Sequence, residues 1–363
     1  MHKKSPRFHI ARRDDISWYK AWGIRLLALV LILVLCGILT MVLTGLNPVR
    51  VYTAVFEGNF GTKRRFWMLL QNTAMLLCIS IALVPAFRMR FWNLGADGQA
   101  LMGALGAAAC MILIGDRLPN SLLILVMTAA SVLCGMVWAL IPAVFKAYFD
   151  TNETLFTLMM NYVATQLAAF FIIIWEVPKG SGQIGIINQQ SRAGWFPQPG
   201  GNKYLLNVLI VALLTLAVHC YMRYSKHGYE LTVAGESEAT ARYVGIEIRK
   251  VIMRTMMLSG ALCGVTGLLL VGGTDHTLTT TIIGGRGFTG VMVAWLAGFK
   301  PAVMLGMAFL LVFLKSGSAE ITTSLGLNQS YGDIVTGIIL FVILGCDFFL
   351  NYRIMRSKKE ATE

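Results

Sequence analysis

Residues 93 to 99 read Asn93-Leu94-Gly95-Ala96-Asp97-Gly98-Gln99, a polar, glycine-broken heptapeptide set between two long hydrophobic runs. Its chemistry is two carboxamides and one carboxylate, which can donate to and accept from a polar solute. Irregular, polar backbone at membrane depth survives only inside protein or along a wet cavity, so the heptapeptide marks a solute path. Covalent chemistry finds no comparable constellation. The five histidines are scattered, and all seven cysteines lie inside hydrophobic runs without a Cys-x-x-Cys pair, so no metal site is expected. A Gly-x-x-x-x-Gly-Lys-[Ser/Thr] cradle for nucleotide phosphates is missing as well.

The surrounding sequence is that of a membrane bundle. The chain has 363 residues, 56% hydrophobic and 13% charged. A soluble domain of this size carries about twice that charge. Apolar runs near the length of a bilayer recur throughout. They predict an all-α polytopic membrane protein with about ten transmembrane helices: Trp22–Thr44, Phe66–Phe87, Leu94–Ile114, Ser121–Phe145, Thr154–Trp175, Tyr204–Met222, Ile252–Gly272, Phe288–Phe299, Ala302–Leu314 and Asp333–Leu350. The eighth and ninth are close to half-length.

The formal charge of +13 would suggest nucleic acid in a soluble protein, but its distribution points to a lipid surface. With a cytoplasmic N-terminus and alternating spans, 21 of the 31 basic residues fall inside, as the positive-inside rule requires. The cluster Lys63-Arg64-Arg65 falls outside and is the local exception. Both termini are therefore expected in the cytoplasm. The domain reading is a basic tail over 1–21, a transmembrane domain over 22–350, and a second tail over 351–363. An external loop spans 177–203 and a cytoplasmic loop 223–251.

Spans two to five begin outside and spans seven to ten inside, and each set has a glycine-rich lead-in, Asn93–Gln99 and Gly284–Gly290. That pattern is expected of an inverted repeat with the solute site at the repeat interface. Gly260 and Gly264 have the Gly-x-x-x-Gly spacing of closely packed helices, and Ala294/Gly298 and Ala302/Gly306 follow the same small-residue rule. In the cytoplasmic loop, Ser237 is placed to cap a short helix that Gly245 ends, with Glu238 and Arg242 paired four residues apart. Ala239, Tyr243 and Ile246 share the opposite stripe. Two turns need a surface to lie on, which is either the membrane face or a cytosolic partner.

Three segments resemble one family. Asn93–Gln99 with Ala100-Leu101-Met102-Gly103 is similar to the N-[IL]-G-x-[ED]-G-Q-x-x-x-G segment of ATP-binding-cassette permeases of the nucleoside and simple-sugar uptake type, relatives of the ribose and branched-chain amino acid permeases. Asn152-Glu153 with Met160-Asn161-Tyr162 resembles that family's second segment. Gly235–Ile246 leading to Ser259-Gly260-Ala261, then Gly287-Phe288-Thr289-Gly290, resembles its coupling segment and G-F-T-G. The resemblance runs from about Gly45 to Gly345. Departures are Asp97 where Glu is usual, Thr154-Leu155 for an aliphatic pair, and Ala239-Thr240-Ala241 for an Ala-Ala step.

The resemblance implies a multi-pass subunit of the bacterial inner membrane that pairs with a second, homologous permease chain. A separate ATPase subunit would bind ATP and Mg, and an extracytoplasmic lipoprotein would deliver solute; this chain itself would hold no cofactor. It makes Ser237–Val244 a lever coupled to the ATPase, carried by Ser237, Glu238, Ala239, Arg242, Tyr243 and Gly245. Nucleosides lead as solute, then simple sugars, riboflavin-like ligands and branched-chain amino acids. Asn93, Gln99, Asn161 and Phe288 are the solute-contact candidates: amides for ribose hydroxyls or base edges, the ring for stacking. The competing roles are helix-end hydrogen bonding for Asn93 and Gln99, interhelical bonding for Asn161, and packing for Phe288. Asp97 and Glu153 are read as buried partners of backbone or basic groups. A self-sufficient secondary transporter would need carboxylates deep in the spans, and the acids found lie near span ends.

Overall fold

The computed structural model describes residues 8–12, 17–45, 47–326 and 329–356. The basic residues Lys3, Lys4, Arg7, Arg13, Lys358 and Lys359 lie outside the described residues. The rest is helical apart from one antiparallel pair of short strands, β1 (Phe8–Arg12) and β2 (Tyr352–Arg356), which register Ile10 against Ile354. This pair is an addition to the all-helical expectation.

Two compact units make up the chain. The first takes the described residues up to Arg65 and from Phe313 onward. Its α1 (Trp18–Thr44) ends at Gly45, whose left-handed φ of 66° lets its amide close on the Met41 carbonyl. Asn47 then caps α2 (Pro48–Phe60) by accepting from the Val49 amide, with Pro48 in the first turn, where no N–H is needed. The axis turns by 109° between them. Cys36, Val51, Ala54, Ile321, Tyr331, Val335 and Ile339 form the core of this unit, contributed by α1, α2, α12 (Pro301–Leu325) and α13 (Gln329–Asn351).

The second unit, Phe66–Val312, holds the heptapeptide. Its helices are α3 (Lys63–Arg88), α4 (Ala96–Ile114), α5 (Asn120–Phe149), α6 (Glu153–Trp175), α7 (Leu205–Tyr224), α8 (Lys226–Glu236), α9 (Glu238–Tyr243), α10 (Ile248–Leu270) and α11 (Arg286–Leu296). The most apolar windows of α3, α4 and α10 are 72–78% buried, whereas those of α5, α6 and α7 are 22–28% buried. The first three are therefore the core and the others present apolar faces such as Leu125 and Leu213 to lipid.

The expected Gly-x-x-x-Gly seam exists. A methyl group on Gly260 would fall on the Gly135 carbonyl and one on Gly264 on the Ser131 carbonyl, while Gly267 sits equally close to the backbone of α4 at Ala100 and Ala104. Bare backbone at these positions brings α10 against α5 and α4. The other two small-residue pairs do not behave this way: nothing lies within 4 Å of a methyl group placed on Gly298 or Gly306. Gly298 instead follows α11 with φ 54°, as a helix-ending residue.

The span expectations need correcting. Among the described residues seven helices are long and apolar enough to cross a membrane, or eight if the bent pair α1–α2 counts as one, so ten is not reached by length and composition. The eighth expected span is only the 11-residue α11. About 16 Å of helix cannot cross a hydrocarbon core of about 30 Å. The ninth is a full-length helix, Pro301–Leu325, because Lys315 and Glu320 interrupt its hydropathy without ending it. Glu320 is neutralised by Arg65 at 2.8 Å, which also accounts for one member of the anomalous external basic cluster.

Candidate functional site

The heptapeptide is the break before α4. Asn93 folds back so that its Oδ1 accepts from the Gly95 amide at 3.0 Å and from Gln99 Nε2 at 3.1 Å. Its Nδ2 donates to Gln99 Oε1 at 3.3 Å and to Ser259 Oγ of α10 at 3.2 Å. Both carboxamides are fully buried. In this conformation the pair is satisfied internally and ties the break to α10.

Asn161, half-buried on α6, clamps the same break from the other side. Its Oδ1 accepts from the Gly98 amide and its Nδ2 donates to the Leu94 carbonyl, each at 2.8 Å. One turn earlier, the Thr157 hydroxyl accepts from the Leu94 amide at 3.1 Å. Two polar residues four apart on α6 thus satisfy backbone that no helix or sheet satisfies. Asn161 was legible as a polar residue inside a span. Thr157, which the sequence reading omitted, shares its face by the i, i+4 spacing and could have been found from it.

The second glycine-rich lead-in meets the first. Asp97 Oδ1 accepts from the Gly287 amide at 2.8 Å, and the Phe288 amide also bonds the same carboxylate. These are the second and third N–H groups of α11, whose own cap is Gly285 and has no side chain to offer. Asp97 is therefore a buried partner of backbone, as its chemistry suggested. Gly287 is demanded by the approach: a methyl group there would lie 2.7 Å from the Asp97 amide nitrogen. Arg286 supports the junction by donating to the Ile282 and Ile283 carbonyls at 3.1 and 2.9 Å and to Asn72 Oδ1 at 3.0 Å. Glu153 is paired at 3.2 Å with Lys146, the basic partner expected of it.

The four solute-contact candidates therefore do not line one open pocket. Asn93 and Gln99 close on each other, Asn161 closes on backbone, and Phe288 stands half-exposed beside the Asp97 junction. The buried Gln71 of α3 was not singled out from the sequence. Both polar atoms of its carboxamide lack a protein partner, an arrangement that costs about 1–3 kcal/mol and calls for a reason.

In the loop over 223–251, Ser237 caps α9 by accepting from the Thr240 amide at 3.2 Å, and Arg242 meets Glu238 at 3.5 Å. Ala241, not Ala239, is the residue turned into the protein. Ala239, Arg242 and Tyr243 are exposed, Tyr243 at 91%. Gly245 ends the segment with φ 82°. The preceding α8 was not foreseen, although Ser225 caps it through the Gly228 amide at 3.0 Å. It is anchored by His227, bonded to Tyr221 at 3.0 Å and Thr255 at 3.3 Å, with burial holding the imidazole below its usual pKa. At its far end Gly235 lies on the Arg88 carbonyl, where a methyl group could not fit. The end of α8, immediately before α9, is thus seated on the last residue of α3, five residues before Asn93.

Beyond the other end of α10, Trp195 of the 177–203 loop stacks on His276 at 3.8 Å and 2°, and the Ile187 amide donates to the His276 carbonyl at 2.8 Å. Burial pulls the His276 pKa down to about 4.

Residues 66–344 match the family described as the permease component of a branched-chain amino acid transport system. Relatives of similar length include the guanosine ABC transporter permease protein NupP of Bacillus subtilis, 29% identical over 85% of this chain and 88% of its own. The nucleoside ABC transporter permease protein NupB of Lactococcus lactis is 26% identical, with 89% and 91% covered. The glucose ABC transporter permease protein TsgB13 of Haloferax volcanii is 25% identical, with 94% and 92% covered.

Proposed function

The chain belongs to the family of branched-chain amino acid transport system permease components, and from that membership we propose that it is the membrane subunit of an ATP-binding-cassette importer for a nucleoside or a related small polar solute. The observation that carries this reading is the exposed α9, which follows directly on α8, whose Gly235 sits on the Arg88 carbonyl at the foot of the break. A separate ATPase chain binds ATP and Mg and pulls on Ser237–Val244, and the motion reaches Asn93–Gln99 through the end of α3. A second permease chain and an extracytoplasmic binding lipoprotein complete the importer. The pairing of β1 with β2 supports termini on one side, which the basic distribution puts in the cytoplasm.

Alternating access here is a difference of affinity between two conformations, with no covalent step. The packing revises which parts move. The Gly260/Gly264 seam makes α10 one body with α4 and α5, so spans two to five do not rock against all of seven to ten. The element outside that seam is α11, held at its start by Asp97. When the Asn93–Gln99 pair opens, its two carboxamides, with Phe288, offer the hydrogen bonds and ring face that a nucleoside needs. A simple sugar is the second reading, favoured by the relative named for glucose, since hydroxyls use the same amides.

Reconstitution tests this directly. Labelled guanosine should accumulate in vesicles holding this chain, its paired permease, the ATPase and the binding protein, and should stop accumulating when the ATPase is omitted. Accumulation without it would favour a secondary transporter. A thermal-shift screen on the binding protein then ranks nucleosides against sugars.

A further inference from the structure

Four aromatic rings gather where the break approaches the end of α11. Trp92, the residue before Asn93, stacks on Trp295 with ring centroids 5.1 Å apart and planes 15° apart. Phe87 meets both edge-on, at 5.9 and 5.8 Å, and Phe299 meets Trp295 edge-on at 5.2 Å. Phe87 is buried and forms the fixed wall, while Trp92 and Trp295 are 43% and 45% exposed. We propose that Trp92 and Trp295 form a second solute subsite, at the inner end of the path, that takes a flat heterocyclic ring between the two indoles. The inference rests on the nucleoside reading of the solute.

Three features support it. First, Trp92 immediately precedes the first glycine-rich segment and Trp295 lies on α11, which the second one begins, so their separation changes whenever α11 moves against the break. Second, α11 is a short helix bounded by left-handed backbone at both ends, Gly285 with φ 70° and Gly298 and Phe299 with φ 54° and 60°, where it can turn as a unit. Gly287 is held by Asp97 at 2.8 Å, and Trp295 lies eight residues on, about 12 Å along the axis. Seating a ring between the indoles requires about 7 Å, two van der Waals contacts of about 3.5 Å. The tip must therefore open by about 2–4 Å, a pivot of roughly 10–20° about the Asp97 end. Third, the drive is adjacent. Gly235 of α8, two residues before the lever begins, sits on the Arg88 carbonyl, between Phe87 and Trp92 in the chain, and the Thr157 hydroxyl is within 3.4 Å of the Trp92 carbonyl.

Closed, the indoles satisfy each other; opened, each offers a face to the departing solute. Stacking on aromatic faces tolerates any base, because every base has a π-face. A sugar ring is saturated and puckered and offers C–H groups on one face in place of a π-face on each side, so it gains less from two indole planes. The subsite therefore selects for planar heterocycles after the amides have engaged ribose.

The test uses the reconstituted importer with labelled guanosine, together with the purified full chain in nanodiscs. Trp92→Leu and Trp295→Leu should each lower the maximal uptake rate about tenfold, ~1.4 kcal/mol of lost stacking. Trp92→Phe and Trp295→Phe should stay within about threefold of wild type, since a ring face remains. Guanosine should quench the intrinsic fluorescence of the wild-type chain, ribose should not, and the double Phe variant should lose most of the guanosine effect. Guanosine uptake at wild-type rates in both Leu variants, failure of Phe to rescue, or undiminished quenching in the double Phe variant would overturn the subsite while leaving the nucleoside reading standing. A wild-type importer that carries ribose or glucose but not guanosine would overturn that reading, and the subsite with it.

Discussion

Asp97 carries a sharp quantitative prediction, because one carboxylate caps a helix that has no cap of its own. Replacing it with alanine removes the 2.8 Å bond to the Gly287 amide and the bond to Phe288. A buried N–H left without an acceptor costs about 1–3 kcal/mol. The lost anion at a helix start costs roughly 0.3–1 kcal/mol more. Water reaching the opened junction offsets part of this, so about 3 kcal/mol is the expected weakening of the first turn of α11. At 1.4 kcal/mol per decade, hydrogen-exchange protection at Gly287 and Phe288 should fall about a hundredfold. Asp97→Asn keeps an acceptor but loses the charge, and should cost about 1 kcal/mol, fivefold in protection. The assay is peptide-resolved exchange on the purified chain in nanodiscs, with the α10 peptide 256–268 as internal reference. Wild-type protection of α11 in Asp97→Ala would refute the cap, and equal losses in α10 would show general unfolding rather than a local release.

Three further outcomes follow from the same contacts. Gly264→Val should abolish accumulation of folded protein, because its side chain would enter the Ser131 carbonyl, whereas Gly306→Val, with nothing within 4 Å, should be recovered at wild-type yield in detergent extracts. Gln99→Ala should lower guanosine uptake more than it lowers expression; an unchanged uptake rate would return Gln99 to holding the break closed. His276 is buried in its neutral form, with a pKa of about 4 against 6.5 when free, so its contribution is present above pH 6.5 and lost as pH falls towards 4. Protease cleavage of the 177–203 loop should rise across that window and be pH-independent in His276→Gln.

Much of this arrangement was legible because its causes are local in the sequence. The glycine spacing of 260 and 264 announces a close helix seam, and polar residues inside an apolar run announce a break that needs partners. The short α9 followed from Ser237, Gly245 and the Glu238–Arg242 pair. What was missed depended on distant partners. Glu320 reads as a span-ending charge until Arg65 neutralises it, and so the ninth span was drawn too short. Ala302/Gly306 has the right spacing, but spacing cannot say whether another backbone arrives. Helix α2 was overlooked although Asn47-Pro48 is a start signal, because its apolar residues are too few to suggest a span. The closure of Asn93 on Gln99 is a tertiary fact: the same two amides would serve a solute or each other, and only the fold brings Ser259 within reach to help hold them.

In the proposed function, a cytosolic ATPase drives this membrane subunit through the Ser237–Val244 lever. The most direct measurement is the ratio of guanosine imported to ATP hydrolysed in the reconstituted importer, for wild type and for Arg242→Glu combined with Tyr243→Ala. Both side chains are exposed, and Ala241, which seats α9, is untouched. The account predicts an inserted, assembled protein whose ATP hydrolysis continues while import falls at least tenfold. A wild-type ratio in the double variant would contradict it.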